Sequence, residues 1–184
     1  MTGMDQQWVA FVTVDDRNGA LTATTECFST RGVSFASVNT LDVHAGIGTL
    51  AFLFAGSDRI ARLMGRTLGR VATVRDVRIA HADDPQVRAL AQVRPRADGA
   101  DAAGEVDAVD AMHAGAAPDA DAVRRGGVDT VTTTADGALI VAGPLAAVRT
   151  AIADLRAAGG AEVAWTLLPP RAQPAGDTAA TAGD

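Results

Sequence analysis

Two carboxylates, an amide and a glycine fall within five residues in the segment Val14-Asp-Asp-Arg-Asn-Gly-Ala-Leu21. A β-patterned run, Trp8 to Val14, precedes the segment, and a helical run, Leu21 to Thr30, follows it. A strand that turns at glycine into a helix leaves backbone N–H groups without partners, facing outward. With the helix dipole behind them, these groups can hold a small anion such as an amino-acid carboxylate. Many strand–turn–helix junctions bind nothing, so the turn gains meaning only from its surroundings. Asp15 and Asp16 could serve as an acid–base pair, yet neighbours on an extended strand face opposite sides. No nucleophile accompanies them, and loop solubility explains them equally well. His44, His81 and His113 have no second His or Cys at ligand spacing, so no metal site is expected. Cys27 lies within the first helical pattern and reads as a buried structural thiol. There is no phosphate-binding glycine loop and no dinucleotide fingerprint, so no cofactor is expected.

The elements that must carry these residues follow from periodicity. Trp8–Val14 and Val33–Asp42 are rich in Val, Phe and Thr and predict strands. Leu21, Ala23, Cys27 and Phe28 recur at helical spacing between them, with Arg31-Gly32 as a stop. His44-Ala-Gly-Ile-Gly48 signals a turn, so Thr49–Ala55 should pair with the second strand as a hairpin. Ser57 or Asp58 can cap a helix that buries Ile60, Leu63, Met64 and Leu68. Arg59, Arg62, Arg66 and Arg70 fall on its other side, most simply as a solvated face. Val71–Ala80 closes with a fourth strand. The order is βαββαβ, an α+β, ferredoxin-like arrangement with two helices on one face of an antiparallel sheet.

Phe52-Leu-Phe-Ala-Gly56 followed by a helix parallels Leu139-Ile-Val-Ala-Gly143 followed by a helix with face Leu145, Val148, Ile152 and Leu155. This suggests a second, smaller and divergent ferredoxin-like unit. The expected division is 1–82 for the first domain, 83–98 for a linker, 99–168 for the second domain and 169–184 for a disordered tail. Within the second domain, Val106, Val109, Met112 and His113 predict a short helix. Strands are expected over Val128–Thr134 and Ala138–Ala142, around an Asp136-Gly137 turn, and again over Glu162–Leu168.

Composition narrows the function. The 184 residues carry a net charge of -6, and all sixteen Lys+Arg positions are Arg. That balance argues against nucleic acid, whose binding leans on clustered cations. A single Cys excludes an internal disulfide and suits a reducing compartment. No apolar run approaches the ~20 residues of a membrane span, and no signal sequence is recognisable. A cytoplasmic protein with no membrane partner is expected.

With these residues placed, Val9 to Ala80 resembles an ACT domain, a βαββαβ module that binds amino acids at dimer interfaces. More narrowly, the chain is similar to the small regulatory subunit of acetohydroxyacid synthase (acetolactate synthase). That family opens with Val-Glu-Asn-Glu-Pro-Gly-Val-Leu and continues to Phe-Ser-Arg-Arg-Gly-Phe-Asn-Ile-Glu-Ser-Leu. The matching stretches are Val14–Leu21, Phe28-Ser-Thr-Arg-Gly-Val-Ser-Phe-Ala-Ser-Val38 and, near the family's Glu-Gly-Asp-Asp, Phe54-Ala-Gly-Ser-Asp58. Arg88–Asp98 is similar to the family's Glu-Leu-Ala-Leu-Val-Lys-Val-Arg-Ala-Asp. The resemblance covers most of the chain, outside the tail and the Gly99–Arg125 region.

The resemblance implies a non-catalytic homodimer that activates a thiamine-diphosphate-dependent catalytic subunit and takes a valine-like effector. It implies that backbone N–H groups of Gly19, Ala20 and Leu21 hold the effector, aided in the family by two Asn side chains. Those Asn positions are Asp16 and Ser34 here, and the family's Pro is Asn18. Asn both donates and accepts, whereas an ionised Asp only accepts. Asp16 can hold an α-ammonium but repels an α-carboxylate, so valine binding is expected to be weakened or redirected. The candidate effector set is Asp16, Asn18, Gly19, Ala20, Leu21, Ser34 and Phe35. Val123-Arg-Arg-Gly-Gly-Val128 replaces the family's Phe-Arg-Ala-Lys-Val. Two other readings remain. One is a stand-alone ACT sensor without that partner. The other is an enzyme on a ferredoxin-like scaffold, which usually places His, Tyr or Arg in the sheet–helix cleft. The chain has no Tyr and no inward His on a predicted strand.

Overall fold

Alternation along β1 (Gln6–Asp15) sends its side chains into two different cores. Ala10, Val12 and Val14 face one core with Phe28, Phe52, Phe54, Met64 and Leu68. Val9 and Phe11 face another, together with Ala51 and Leu53 of β3 (Ile47–Gly56). Strands covered on both faces read as nearly continuous apolar runs, which is how β1 and β3 read here. The structure, a computed structural model, describes residues 6–95, 123–124, 126–157 and 161–170.

The first sheet has the order β2-β3-β1-β4, with every neighbouring pair antiparallel. Its edge strands are β2 (Phe35–His44) and β4 (Val74–His81). Helices α1 (Ala20–Thr30) and α2 (Asp58–Leu68) pack on one face through Phe28, Ala61, Met64 and Leu68. Ser57 caps α2, its hydroxyl accepting from the Ile60 N–H at 3.4 Å. Ala45 and Gly46 form the two-residue turn between β2 and β3, with φ of 50° and 76°. Positive φ at both central positions gives the turn the twist its strands require.

The second sheet repeats the plan. It contains β5 (Arg88–Pro95), β6 (Thr130–Thr133), β7 (Leu139–Pro144) and β8 (Ala161–Leu167), with α3 (Leu145–Ala157) between the last two. Its order, β6-β7-β5-β8, matches the first sheet position by position. The repeated Ala-Gly pairs occupy equivalent places at the ends of β3 and β7. At Gly143 a Cβ would lie 3.0 Å from the Val128 Cα and the Asp129 N, a contact with backbone tight enough to favour glycine.

One expectation needs correction. Residues 88–95 are not part of a linker but β5, a central strand that pairs with both β7 and β8. Ala89, Ala91 and Val93 are buried in strict alternation. Alanine is a weak strand former, and arginines flank the run, so its composition resembles a connector. The second sheet therefore begins at Arg88 rather than at 99. The helix expected around Val106–His113, the glycines 159–160 and residues 171–184 lie outside the described residues.

The face of the first sheet that carries no helix of its own is not open. Val9, Phe11, Ala51 and Leu53 share one core with Leu145, Val148, Ile152 and Leu155 of α3 and with Ala89, Ala91 and Val93 of β5. Each buried Val, Leu or Phe contributes about 1.5–3 kcal/mol. The two units are therefore joined through a common core.

Candidate functional site

The turn after β1 is anchored at both flanks. The Asp15 N–H donates to the Thr73 carbonyl at 2.8 Å, and the Asp16 N–H donates to the Gly46 carbonyl at the hairpin tip at 2.9 Å. The two aspartates then diverge. Asp15 pairs with Arg75, Nε to Oδ1 at 2.5 Å, while Asp16 is exposed with no ion pair among the described residues.

Gly19 starts α1 in the left-handed region, φ 86° and ψ -5°. A Cβ there would meet nothing within 4 Å, so glycine answers a backbone demand, and the space before it is open. The Ala20 N–H donates to the Arg17 carbonyl at 3.2 Å, and the Ala23 N–H to the Gly19 carbonyl at 2.8 Å. The three free N–H groups expected from sequence are thus reduced to those of Gly19 and Leu21. No side chain caps the helix, and no acid lies in its first turn. Its positive end is left to solvent or to an anion. Leu21 beside it is 46% exposed, one of two large apolar side chains that stand out in this way among the described residues; Val43 is the other.

Ser34 and Phe35 do not join this group within one chain. Phe35 is level with Phe54, which pairs with Trp8, and Asp15 lies seven residues farther along β1. At ~3.3 Å per residue the two groups are separated by about 23 Å, the length of the sheet. Ser34 is exposed. The Phe35 ring packs edge-on against Phe28, at 5.5 Å, and Phe52, at 5.7 Å, so it helps hold α1 to the sheet. Asn18 is exposed beside Gly19.

Two residues at this end of the sheet were not found by sequence reasoning. Arg75 lies sixty positions from its partner Asp15, so no local pattern signals it. Thr73 has a buried hydroxyl without a partner, next to the carbonyl that holds Asp15. Burial pushes the Cys27 thiol above its ordinary pKa, with Arg31 opposing and Glu26 adding to the effect. Its Sγ lies 3.4 Å from the Ala23 carbonyl. An inert structural thiol fits those surroundings. Among the described residues no His/Cys/Asp/Glu cluster could hold a metal, and no helix is long and apolar enough to cross a membrane.

No family model matches the chain, and no curated protein matches it. Among solved structures it is similar to the acetolactate synthase small subunit from Thermotoga maritima. The two are 15% identical, over 88% of this chain and 93% of that one, with a TM-score of 0.55. It is also similar to the ligand-free regulatory subunit of aspartate kinase from Thermus thermophilus. That pair is 13% identical, over 84% and 93% of the chains, but the TM-score of 0.43 is too low to carry an argument. At these identities the likeness defines the fold alone: two ferredoxin-like units in tandem.

Proposed function

We propose that the chain is a non-catalytic regulatory subunit that senses a branched-chain amino acid between two copies of its ACT unit. Its proposed partner is the catalytic subunit of acetohydroxyacid synthase, which it activates. The observation that carries this reading is the fold likeness to an acetolactate synthase small subunit across both units and nearly the full length of each chain. The stretches Val14–Leu21 and Phe28–Val38 support it.

The separation of the candidate residues bears on how such a site is built. Gly19 and Leu21 lie at one end of the sheet and Ser34 at the other, so one chain cannot enclose a single amino acid with both. Two copies related by a twofold axis perpendicular to the strands bring the Gly19 end of one to the Ser34 end of the other. An effector held there favours one arrangement of the pair, and inhibition follows if that arrangement lowers the partner's activity. Coupling of ~1–3 kcal/mol is sufficient for such control.

Asp16 in place of the family's Asn favours a second reading, a stand-alone amino-acid sensor with altered ligand choice. Mixing the chain with a purified acetohydroxyacid synthase catalytic subunit separates the two. Co-elution and a rise in acetolactate formation support the first reading. Separate elution with unchanged activity refutes it and leaves the sensor.

A further inference from the structure

A cleft of about 360 Å³ opens between the helix-free face of the first sheet and α3. Gln7 of β1 and Leu53 of β3 form one wall, Arg149, Ile152 and Arg156 of α3 the other, and Trp165 of β8 closes an end. Residues 149, 152 and 156 follow i, i+3, i+7 spacing and share one helix face. The two arginines lie about 10 Å apart along the axis, at ~1.5 Å per residue. Arg149 donates to the Gln7 side-chain carbonyl, which fixes it across the junction of the units. Among the described residues no Asp or Glu lines the cleft, and neither arginine pairs with a carboxylate. In a chain of net charge -6, two guanidiniums without carboxylate partners beside apolar walls form a local positive site.

A second observation concerns the same sheet face. Ser37 Oγ and Asn39 Oδ1 are buried without hydrogen-bond partners. Ser37 is level with Leu53, a wall of the cleft, and Asn39 with Ala51. Neither side chain lines the cleft itself, whose walls are those named above.

We infer that this cleft is a binding site, separate from the α1 turn, for a small carboxylate with a short apolar body. Guanidinium groups match the planar carboxylate, while Leu53, Ile152 and Trp165 take the apolar part. The volume falls at the small end of the ~300–1,000 Å³ found for ligand pockets. A molecule bound there touches both units and stabilises their docked arrangement.

Hexanoate is a suitable probe, with hexanol and hexylammonium as uncharged and cationic counterparts of equal length. The chain has two tryptophans, so Trp8→Phe leaves Trp165 as the only indole reporter. Hexanoate should change its emission saturably, with affinity at least tenfold above that for hexanol. Arg156→Gln, at an exposed position, should lower hexanoate affinity at least tenfold, with its melting temperature nearly unchanged. The Trp165 indole and Gln7 amide signals in NMR spectra of the unaltered chain provide the same readout should Trp8→Phe fail to fold. No saturable response, equal binding of hexanol or hexylammonium, or unchanged affinity in Arg156→Gln overturns the assignment.

Discussion

Replacing Gly19 by alanine isolates the backbone demand at the start of α1. The φ of 86° lies where an L side chain is strained, at a cost of roughly 1–2 kcal/mol. No clash adds to this, because the new Cβ meets nothing within 4 Å. For a chain of this size each kcal/mol lowers the melting temperature by about 2–4 °C. Gly19→Ala should therefore melt about 2–8 °C below the parent chain. Gly19→Asn should lose less than half as much, since Asn tolerates the left-handed region and is a good helix cap. Gly19→Val should lose more than alanine, as a β-branched residue fits this region worst. Differential scanning calorimetry on the four proteins measures the series. An alanine variant as stable as the parent refutes the left-handed start, and a loss above about 4 kcal/mol points to a steric role the geometry denies.

Other consequences are simpler. Phe28 is fully buried among Phe35, Phe52 and Phe54, so Phe28→Ala should cost about 3–5 kcal/mol by urea titration. Ala45, strained at φ 50° in the β2–β3 turn, should gain about 1 kcal/mol when changed to Gly or Asn, read as a higher melting temperature. The Thr134 hydroxyl holds the Asp136 carboxyl below its ordinary value of 3.8. Its contribution is complete above that value and is lost as pH falls through the lower folded one. Asp136→Asn should therefore lower stability at neutral pH and flatten the acid limb, with variant and parent converging once the pH is below the folded value, as pH-dependent melts can show. Val9, Phe11 and Leu53 are buried in a core shared by both units, so the chain should unfold in one calorimetric transition rather than two.

The first unit was legible because its strands alternate or run apolar, its first helix begins and ends at glycines, and its second carries the Ser57 cap. The internal repeat was legible from the Ala-Gly pairs after Phe54 and Val141, and the structure explains Gly143 by backbone contact. β5 was not legible: a strand built on Ala89, Ala91 and Val93 gives little hydrophobic contrast, and its partners β7 and β8 lie far along the chain, with Val93 level with Leu139 and Ala89 with Leu167. The shared core was hidden for a related reason. Val9, Phe11, Ala51 and Leu53 read as strand residues, and nothing local says what covers their face. At the site, the turn at Gly19 was legible, but strand register alone reveals that Ser34 lies at the opposite end of the sheet. The Asp15–Arg75 pair and the loss of the Ala20 N–H to Arg17 depend on three-dimensional contacts that no motif encodes.

The central claim is that the Gly19 turn contributes to an amino-acid site in a regulatory protein. Calorimetric titration of valine, leucine and isoleucine into the intact chain tests it most directly, with Gly19→Asp as control. Saturable heat is expected for at least one of the three, abolished in Gly19→Asp, where an added carboxylate faces the ligand's own. Heat from none of them, or heat that persists in Gly19→Asp, contradicts it.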